Sequence, residues 1–262
     1  MTQKKKPNAV AMDDYQSAMI GDKLNFATAE AYRLLRANLM FSLPDQQGCC
    51  VIGVTSSVRG EGKSTTSINL AYTLAEANLR VLLIEADMRM PVQSKRLNVN
   101  KTPGLSNLLA GQASERDALQ KTKLHSNLTL ITAGDIPPNP SELLASEQMK
   151  KVLKNLEAQF DYIILDLPPV TAVSDAVVIS GLTQGMVVVV RQDYTNKRAL
   201  NDTIRQLQFV DTKILGFVMT CAGTQRGTYS KYKKYKKYGK YGYGYGSHYG
   251  YGQKTRAAKD SQ

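Results

Sequence analysis

The chain has 262 residues and a formal net charge of +12 at pH 7, which is enough length for one globular α/β domain with terminal segments. Residues 223–262 hold ten Lys or Arg against one acidic residue, so this segment carries +9 and only +3 is left for residues 1–222. This balance argues against polyanion binding by the rest of the chain. The three cysteines form no C-x-x-C pair and fit a reducing cytoplasm, and no apolar run approaches the ~20 residues of a membrane span.

Apolar patterns along the chain predict alternating helices and strands. Residues 1–25 are polar and without periodicity, which predicts a flexible leader; because no apolar stretch follows their lysines, we do not expect a signal peptide. The predicted strands cover residues 50–56, 81–87, 128–133, 162–166, 186–191 and 214–220. The predicted helices cover residues 28–41, 63–77, 105–109, 140–159 and 197–209.

These elements predict an α/β fold of the P-loop NTPase type, a doubly wound and mostly parallel sheet flanked by helices. The strands are apolar on both faces, as strands covered by helices on both sides must be. Right-handed crossovers then put the functional site at the carboxyl ends of the strands. Asn139 is expected to cap the helix that starts at Pro140. The pattern stops after Ala222, which predicts a folded domain over residues 26–222.

A phosphate-binding loop is predicted between the first strand and the helix that starts at Lys63. Backbone amides of residues 60–64 would surround the phosphates at the helix N-terminus, Lys63 would reach the β- and γ-phosphates, and Ser64 would bind Mg²⁺. The pattern G-x-x-x-x-G-K-[ST] departs at its first glycine, which is Ser57 here. The candidate ATP-binding residues are Ser57, Arg59, Gly60, Glu61, Gly62, Lys63, Ser64 and Thr65.

Two predicted strands end in carboxylates. Glu85 and Asp87 lie two residues apart and therefore share one face of their strand, and Asp166 ends the strand over residues 162–166. A hydrophobic strand that ends in Asp is the Walker B arrangement, which holds Mg²⁺ directly or through water. Together with the phosphate loop, these residues predict a Mg-ATP site whose metal ligands are Ser64, Asp87 and Asp166.

The segment after residue 222 is rich in tyrosine, lysine and glycine. It has no Val, Ile or Leu between residues 229 and 251 and cannot bury enough apolar surface to offset the entropy of ordering, so we expect it to be disordered. A nucleotide site combined with a mobile row of phenolic hydroxyls suggests a kinase that is its own substrate. The candidate phosphoacceptors are Tyr229, Tyr232, Tyr235, Tyr238, Tyr241, Tyr243, Tyr245, Tyr249 and Tyr251.

At this point the chain resembles the bacterial tyrosine kinases. The resemblance is carried by Gly-Glu-Gly-Lys-Ser-Thr at 60–65, Ile-Glu-Ala-Asp-Met-Arg at 84–89, Ile-Leu-Asp-Leu-Pro-Pro at 164–169 and the tyrosine-rich tail, and it includes the stretches 103–111 and 137–144. It implies Walker A, Walker A′ and Walker B motifs on a P-loop fold. Where the family's second motif usually has its first Asp, this chain has Glu85. The resemblance therefore implies Asp87 as the catalytic base in preference to Glu85. The candidate catalytic residues are Asp87, Glu85 and Lys63. Arg89 matches the motif's arginine, although a structural ion pair fits it equally well.

The resemblance also implies partners. Glu30, Arg33 and Arg36 match the family's E-x-x-R-x-x-R motif, which the resemblance assigns to subunit contacts in a ring that we expect to be octameric. The alternative is an ordinary ion pair on a solvated helix. A member without a membrane span is expected to be cytoplasmic and recruited to the inner face of the membrane by the cytoplasmic tail of a transmembrane adaptor. Further expected partners are protein substrates and a cognate tyrosine phosphatase, and the associated process is capsule or exopolysaccharide synthesis.

Two other functions remain open from the residues. Division-site or chromosome-partition ATPases share the fold, but they use a second lysine early in the loop, where this chain has Val58. The tail could instead bind nucleic acid or an anionic surface, with Tyr stacking on bases and Lys contacting phosphates. Because the chain also has a phosphate loop, we expect it to bind no nucleic acid. Thr220 stands where relatives often have an Asn that reads adenine, so the base preference stays open.

Overall fold

The computed structural model describes residues 19–43 and 48–222. Most of the predicted leader, residues 1–18, and the whole predicted tail, residues 223–262, lie outside the described residues. The predictions of a flexible leader, a domain boundary at residue 222 and a disordered tail therefore stay predictions.

Strands and helices alternate along the described chain. The strands are β1 Cys50–Ser56, β2 Val81–Glu85, β3 Gln120–Lys121, β4 Leu128–Ile131, β5 Tyr162–Asp166, β6 Gly185–Arg191 and β7 Ile214–Thr220. The α-helices are α1 Phe26–Ser42, α2 Lys63–Glu76, α3 Gln93–Leu97, α4 Leu105–Leu109, α5 Glu115–Ala118, α6 Pro140–Ala145, α7 Glu147–Glu157, α8 Asp175–Ile179 and α9 Lys197–Phe209. Two short 3₁₀ helices cover Gly21–Lys23 and Ser180–Leu182.

The strands form one seven-stranded sheet in the order β3-β4-β2-β5-β1-β6-β7. All neighbours are parallel except β3, which pairs antiparallel with β4 at the edge. Parallel strands run in one direction, so the carboxyl ends of β1, β2 and β5 meet at one edge of the sheet. Glu85 of β2 lies in register with Asp166 of β5. The predicted doubly wound, mostly parallel fold is confirmed.

Hydrophobic cores cover both faces of the sheet. On one face, α1 and α2 pack through side chains such as Leu39, Ile68 and Leu74. On the other face, α4, α7 and α8 contribute Leu105, Leu153 and Ile179 among others. Burial on both faces explains why the central strands read as continuous apolar runs.

The structure corrects several predicted elements. The helix predicted over residues 140–159 is interrupted at Ser146, whose backbone is extended and whose hydroxyl accepts a hydrogen bond from Met149 N at 3.2 Å, so that a second helix begins at Glu147. The predicted cap at Asn139 is wrong: its side chain makes no cap bond to the backbone and instead donates from Nδ2 to Glu142 Oε2 at 2.6 Å. The strand predicted over 81–87 ends at Glu85, which puts Asp87 on the loop that follows.

The membrane prediction can be checked over residues 19–43 and 48–222 only. No helix within these ranges combines the length and the hydrophobicity that crossing a bilayer requires.

Candidate functional site: a phosphate loop facing two aspartates

The phosphate loop connects β1 to α2 at the carboxyl edge of the sheet. Gly60 and Gly62 adopt φ of +87° and +94°, a left-handed backbone that favours glycine. Ser57 is fully buried and does not have a positive φ, so its backbone does not demand the glycine of the common pattern. The replacement of that glycine by Ser57 is therefore compatible with the loop.

The buried carboxylate of Glu61 stabilises the loop through hydrogen bonds. Its side chain is 1% exposed, and Oε2 accepts a hydrogen bond from Val58 N at 2.8 Å. Oε1 accepts another from the Thr195 hydroxyl, which follows β6. Because a buried carboxylate needs such donors, these contacts close residues 58–61 of the turn and attach them to the segment after β6.

Side chains from the ends of β6 and β7 hold the same loop from outside. The Tyr194 hydroxyl donates to the Arg59 carbonyl at 3.0 Å, and Arg191 Nη1 donates to the Gly60 carbonyl at 3.0 Å. The Arg191 guanidinium also lies 4.9 Å from the centre of the Tyr194 ring.

Thr220, at the end of β7, adds a third contact of this kind. Its hydroxyl donates to the Glu61 carbonyl at 2.6 Å, and a Cβ at Gly62 would come within 3.3 Å of its methyl group. Thr220 therefore supports the loop backbone, whichever base the site prefers.

Lys63 lies between the two aspartates. Its ammonium group is 2.8 Å from Asp87 Oδ2, 3.8 Å from Asp166 Oδ1 and 3.3 Å from Ser64 Oγ. Burial by itself would lower the pKa of Lys63, but the charges of Asp166 and Asp87 outweigh it and raise the pKa above its ordinary value. The ammonium group therefore stays charged, which phosphate binding requires.

Asp166 is fully buried and bound on both oxygens. Oδ1 accepts from Ser67 Oγ at 3.2 Å, and Oδ2 accepts from Gln93 Nε2 at 2.7 Å. Gln93 is also fully buried, and its own Oε1 has no partner among the described residues. An unpaired buried oxygen beside a carboxylate is a place where a polar ligand such as a metal-bound water would be stabilised.

Glu85 and Asp87 differ in their surroundings. Glu85 is 1% exposed and accepts hydrogen bonds from three backbone amides, those of Val92, Gln93 at 2.6 Å and Ala133 at 3.1 Å. Burial raises the pKa of Glu85, although the Gln93 amide works against that shift. Asp87 faces Lys63 and accepts from Met90 N at 3.1 Å. Glu85 thus joins three backbone segments, whereas Asp87 lies at the phosphate loop.

Arg89 forms the structural ion pair that sequence analysis left open. Nε lies 3.0 Å from one oxygen of the fully buried Asp175, and Nη2 lies 3.1 Å from the other. Nη2 also donates to Ser141 Oγ at 3.0 Å, and the Ser141 hydroxyl donates to Asp175 at 2.5 Å. This network connects the loop after β2 with α6 and α8.

The oxygen donors at the site fit a magnesium ion. Ser64 supplies a hydroxyl beside the Lys63 ammonium, and Asp87 and Asp166 supply carboxylates on the same side. In the part of the chain that the structure describes, no three His, Cys, Asp or Glu side chains form a metal-binding group. The set therefore suits a hard cation that keeps waters and substrate phosphates as its other ligands, as Mg²⁺ does.

The remaining predicted residues lie in separate places. Thr65 Oγ1 accepts from Arg96 Nη1 at 2.6 Å, at the start of α2. Within α1, Arg33 pairs with Glu30 at 2.5 Å and lies 3.5 Å from Glu76, and Arg36 donates to the Thr73 carbonyl at 2.5 Å. In the single chain, these three side chains therefore contact one another or α2. All nine candidate phosphoacceptor tyrosines lie outside the described residues.

Sequence reasoning missed the residues that support the site from a distance. Gln93, Tyr194 and Asp175 belong to no short motif, and each contacts a predicted residue that is 70 or more positions away. Such contacts depend on the order of the strands in the sheet, which places β6 beside β1. Periodicity along the chain does not reveal that order.

Comparison with known proteins agrees with this geometry. A family model described as an AAA domain matches residues 50–215. Tyrosine-protein kinase YwqD of Bacillus subtilis (strain 168) is 37% identical over 191 residues, which are 73% of this chain and 80% of that protein. The chain belongs to the bacterial tyrosine kinases.

Two other bacterial tyrosine kinases are similar to this chain. Putative tyrosine-protein kinase CapB of Staphylococcus aureus is 34% identical over 200 residues, covering 76% of this chain and 87% of that protein. The kinase domain of the Escherichia coli tyrosine kinase ETK superposes with a TM-score of 0.75 at 25% identity, covering 95% of this chain and 88% of that one.

Proposed function

We propose that the chain is an ATP-dependent protein-tyrosine kinase that transfers the γ-phosphoryl group of ATP to its own tyrosine cluster between residues 229 and 251. The observation that carries the proposal is the position of Lys63, which bridges Asp87 and Asp166 at the start of α2. A charged lysine at a phosphate loop, with a carboxylate beside it, supplies both a phosphate ligand and a proton acceptor. Two relatives bear the name tyrosine-protein kinase, which supports tyrosine as the acceptor.

The reaction needs a group that takes the phenolic proton. A tyrosine hydroxyl has an ordinary pKa of about 10 and is a poor nucleophile at neutral pH. When Lys63 turns from Asp87 to the phosphates, the Asp87 carboxylate is free to accept that proton. The tyrosine oxygen then bonds to the γ-phosphorus, the bond from that phosphorus to the β,γ-bridging oxygen breaks, and ADP leaves.

The other residues bind and align the triphosphate. The amides of residues 60–64 would surround the phosphates, and the loop needs little rearrangement because Glu61, Tyr194 and Thr220 already hold its backbone. A magnesium ion bound by Ser64, and by Asp87 or Asp166, would neutralise charge on the phosphates. Glu85 serves by fixing the loop that carries Asp87, and we assign it no part in proton transfer.

The proposal extends to assembly and partners. The side chains of Glu30 and Arg33 on α1 are 46% and 42% exposed, so a neighbouring subunit could replace their mutual pairing. A ring of subunits, which we propose to be octameric, would bring each tail to a neighbour's site at high effective concentration. We further propose an adaptor at the inner face of the membrane, a cognate phosphatase, other protein substrates and a role in capsule or exopolysaccharide synthesis. Support for these comes from family membership.

Phosphorylation would also change the charge of the tail. Each phosphotyrosine adds about −1.5 to −2 charges at neutral pH, so that several of them would cancel the +9 of residues 223–262. We propose that this reversal releases the tail from acidic surfaces and loosens the ring.

Incubation of the purified full chain with Mg-ATP, followed by mass-spectrometric mapping, tests the activity. We expect phosphotyrosine within residues 229–251, and none in Lys63→Met alone. Tagged Lys63→Met mixed with the wild-type chain should become labelled if transfer runs between subunits. Phosphate on Ser or Thr only, or labelling that survives Lys63→Met, would disprove the proposal.

A further inference from the structure

Beside Asp87, two loops leave the carboxyl ends of neighbouring strands and form a rim with exposed apolar side chains. The loop after β2 carries Met90, whose amide bonds to the Asp87 carboxylate at 3.1 Å. The loop after β4 carries Asp135 and Ile136, and Glu142 follows in the first turn of α6. We call Met90, Asp135, Ile136 and Glu142 the acceptor rim.

The loop after β4 is held firmly, although it protrudes at the surface. Leu105 N donates to the Thr132 carbonyl at 2.7 Å, and Ser106 N donates to the Ala133 carbonyl at 2.9 Å. Asn107 Nδ2 donates to Asp135 Oδ2 at 3.0 Å. These contacts join residues 105–107, which lie within the stretch 103–111 that sequence analysis singled out, to the loop that directly precedes the stretch 137–144.

The same loop is also tied to the catalytic side of the site. The amide of Ala133 donates to Glu85, and Arg89 bonds to Ser141 at 3.0 Å. The loops that carry the acceptor rim are thus held in place next to the segment that carries the proposed proton acceptor, Asp87. Because these loops are already ordered, they lose less conformational entropy on binding a partner than a mobile loop would.

The two apolar side chains of the rim, Met90 and Ile136, are exposed to solvent. Met90 is 47% exposed and Ile136 is 60% exposed, beside carboxylates that are almost fully buried. Exposed apolar side chains next to a catalytic group are typical of a surface that receives a substrate side chain. Met in particular packs well against aromatic rings.

The charge of the rim complements the charge of one segment of this chain. Residues 132–142 contain Asp135 and Glu142 and no Lys or Arg, and the nearby Arg89 is already paired with the buried Asp175. Residues 229–251 contain six lysines and no acidic residue. Tyr232 and Tyr235 have Lys on both sides, whereas Tyr243 and Tyr245 have Gly on both sides.

We propose that the acceptor rim selects lysine-flanked tyrosines from the 229–251 segment of a second copy. The tyrosine ring packs on Met90 and Ile136, its hydroxyl reaches Asp87, and the neighbouring lysines lie by Asp135 and Glu142. This inference rests on the proposed kinase function and adds to it an order among the acceptors: Tyr232 and Tyr235 are phosphorylated before Tyr243 and Tyr245.

The test follows individual tyrosines in the full chain during autophosphorylation. Initial rates at Tyr232 and Tyr235 are divided by those at Tyr243 and Tyr245 in the wild type and in the double variant Asp135→Asn, Glu142→Gln. These substitutions remove charge but keep an oxygen that can accept from Asn107 and Asn139. We expect the wild-type ratio to exceed one and to fall about threefold to fivefold in the variant, in line with the modest strength of exposed ion pairs. Added salt should lower the wild-type ratio as well.

Asp202→Asn on α9 is the matched control, because it removes an exposed carboxylate far from the rim along the sheet, and its ratio should equal that of the wild type. An unchanged ratio in the double variant would overturn the inference. An equal fall at all four tyrosines, with smaller assemblies in sedimentation, would also overturn it and would make the rim a subunit contact. If the wild type formed no phosphotyrosine at all, the proposed function itself would fail, which is a distinct result.

Discussion

The two sides of the phosphate loop are held by different kinds of contact. On the β2 and β5 side, Lys63 is bound by the charges of Asp87 and Asp166. On the β6 and β7 side, the hydroxyls of Tyr194 and Thr220 and the Arg191 guanidinium donate to uncharged loop carbonyls. Because none of these contacts pairs two charges, we call this the neutral side. The first set consists of charges that triphosphate and metal would compete for, whereas the second set uses backbone carbonyls, which accept hydrogen bonds and therefore do not bind phosphate oxygens.

This difference assigns the two sides separate tasks. The ionic side is expected to rearrange when nucleotide binds, because the phosphates offer Lys63 a stronger partner than Asp87. The neutral side is expected to stay as it is and to keep the loop in its binding conformation. The following substitutions break one side at a time.

Substitution on the ionic side should have the largest effect. Asp87→Asn keeps the oxygen that accepts from Met90 N but removes the proton acceptor and the partner of Lys63. We expect the rate of tyrosine phosphorylation to fall by about 10²–10⁴-fold, the usual contribution of a general base. Nucleotide affinity, measured by titration calorimetry with ADP, should fall far less. A variant that phosphorylates tyrosine at the wild-type rate would exclude Asp87 as the base.

Glu85→Ala should mainly affect stability. It would leave the amides of Val92, Gln93 and Ala133 without their buried acceptor. Since an unpaired buried group costs about 1–3 kcal/mol, we expect the free energy of unfolding to drop by about 3 kcal/mol in urea denaturation. If Glu85→Ala instead unfolded like the wild type but lost activity as Asp87→Asn does, Glu85 would have to be returned to the catalytic residues.

A substitution on the neutral side should weaken nucleotide binding moderately. Thr220→Val removes the hydroxyl that donates to the Glu61 carbonyl while keeping the shape of the side chain. One hydrogen bond contributes about 1 kcal/mol, so the Kd for ADP should rise about fivefold. Thr212→Val is the control, because its buried hydroxyl has no partner among the described residues. Equal affinities in both variants would show that Thr220 does not support the loop.

The smallest effect on the fold is expected at the surface of α1. Arg33→Ala removes an exposed pair with Glu30, and such pairs contribute about 0.3–0.5 kcal/mol to stability. Unfolding should therefore change very little, whereas sedimentation should show smaller assemblies if Arg33 mediates subunit contacts. Unchanged assemblies would argue that the motif serves only to place α1 on α2.

The regular part of the fold was predictable from the sequence, because apolar runs marked strands such as Cys50–Ser56 and Ile214–Thr220 at their true bounds. Short elements were not predictable. The edge strand Gln120–Lys121 has only two residues, too few to show a period, and the break at Ser146 depends on one hydroxyl that competes with helix continuation.

The candidate site divides in the same way. Lys63 and Asp166 could be predicted because each belongs to a local sequence pattern, a phosphate loop and a strand end. In the structure, Lys63 Nζ lies 3.8 Å from Asp166 Oδ1. The different surroundings of Glu85 and Asp87 could not be read from their spacing. Strand β2 ends between them, so that one carboxylate turns to backbone amides and the other to Lys63.

A crystal structure with Mg²⁺ and a non-hydrolysable ATP analogue would show whether Lys63 exchanges Asp87 for the phosphates, on which the proposed mechanism depends. We expect Lys63 Nζ to leave Asp87 for the β- and γ-phosphates and the cation to contact Ser64 Oγ, while the Tyr194 and Thr220 contacts with the loop persist. A structure in which Lys63 still pairs with Asp87 and the phosphates lie outside residues 58–65 would contradict that mechanism.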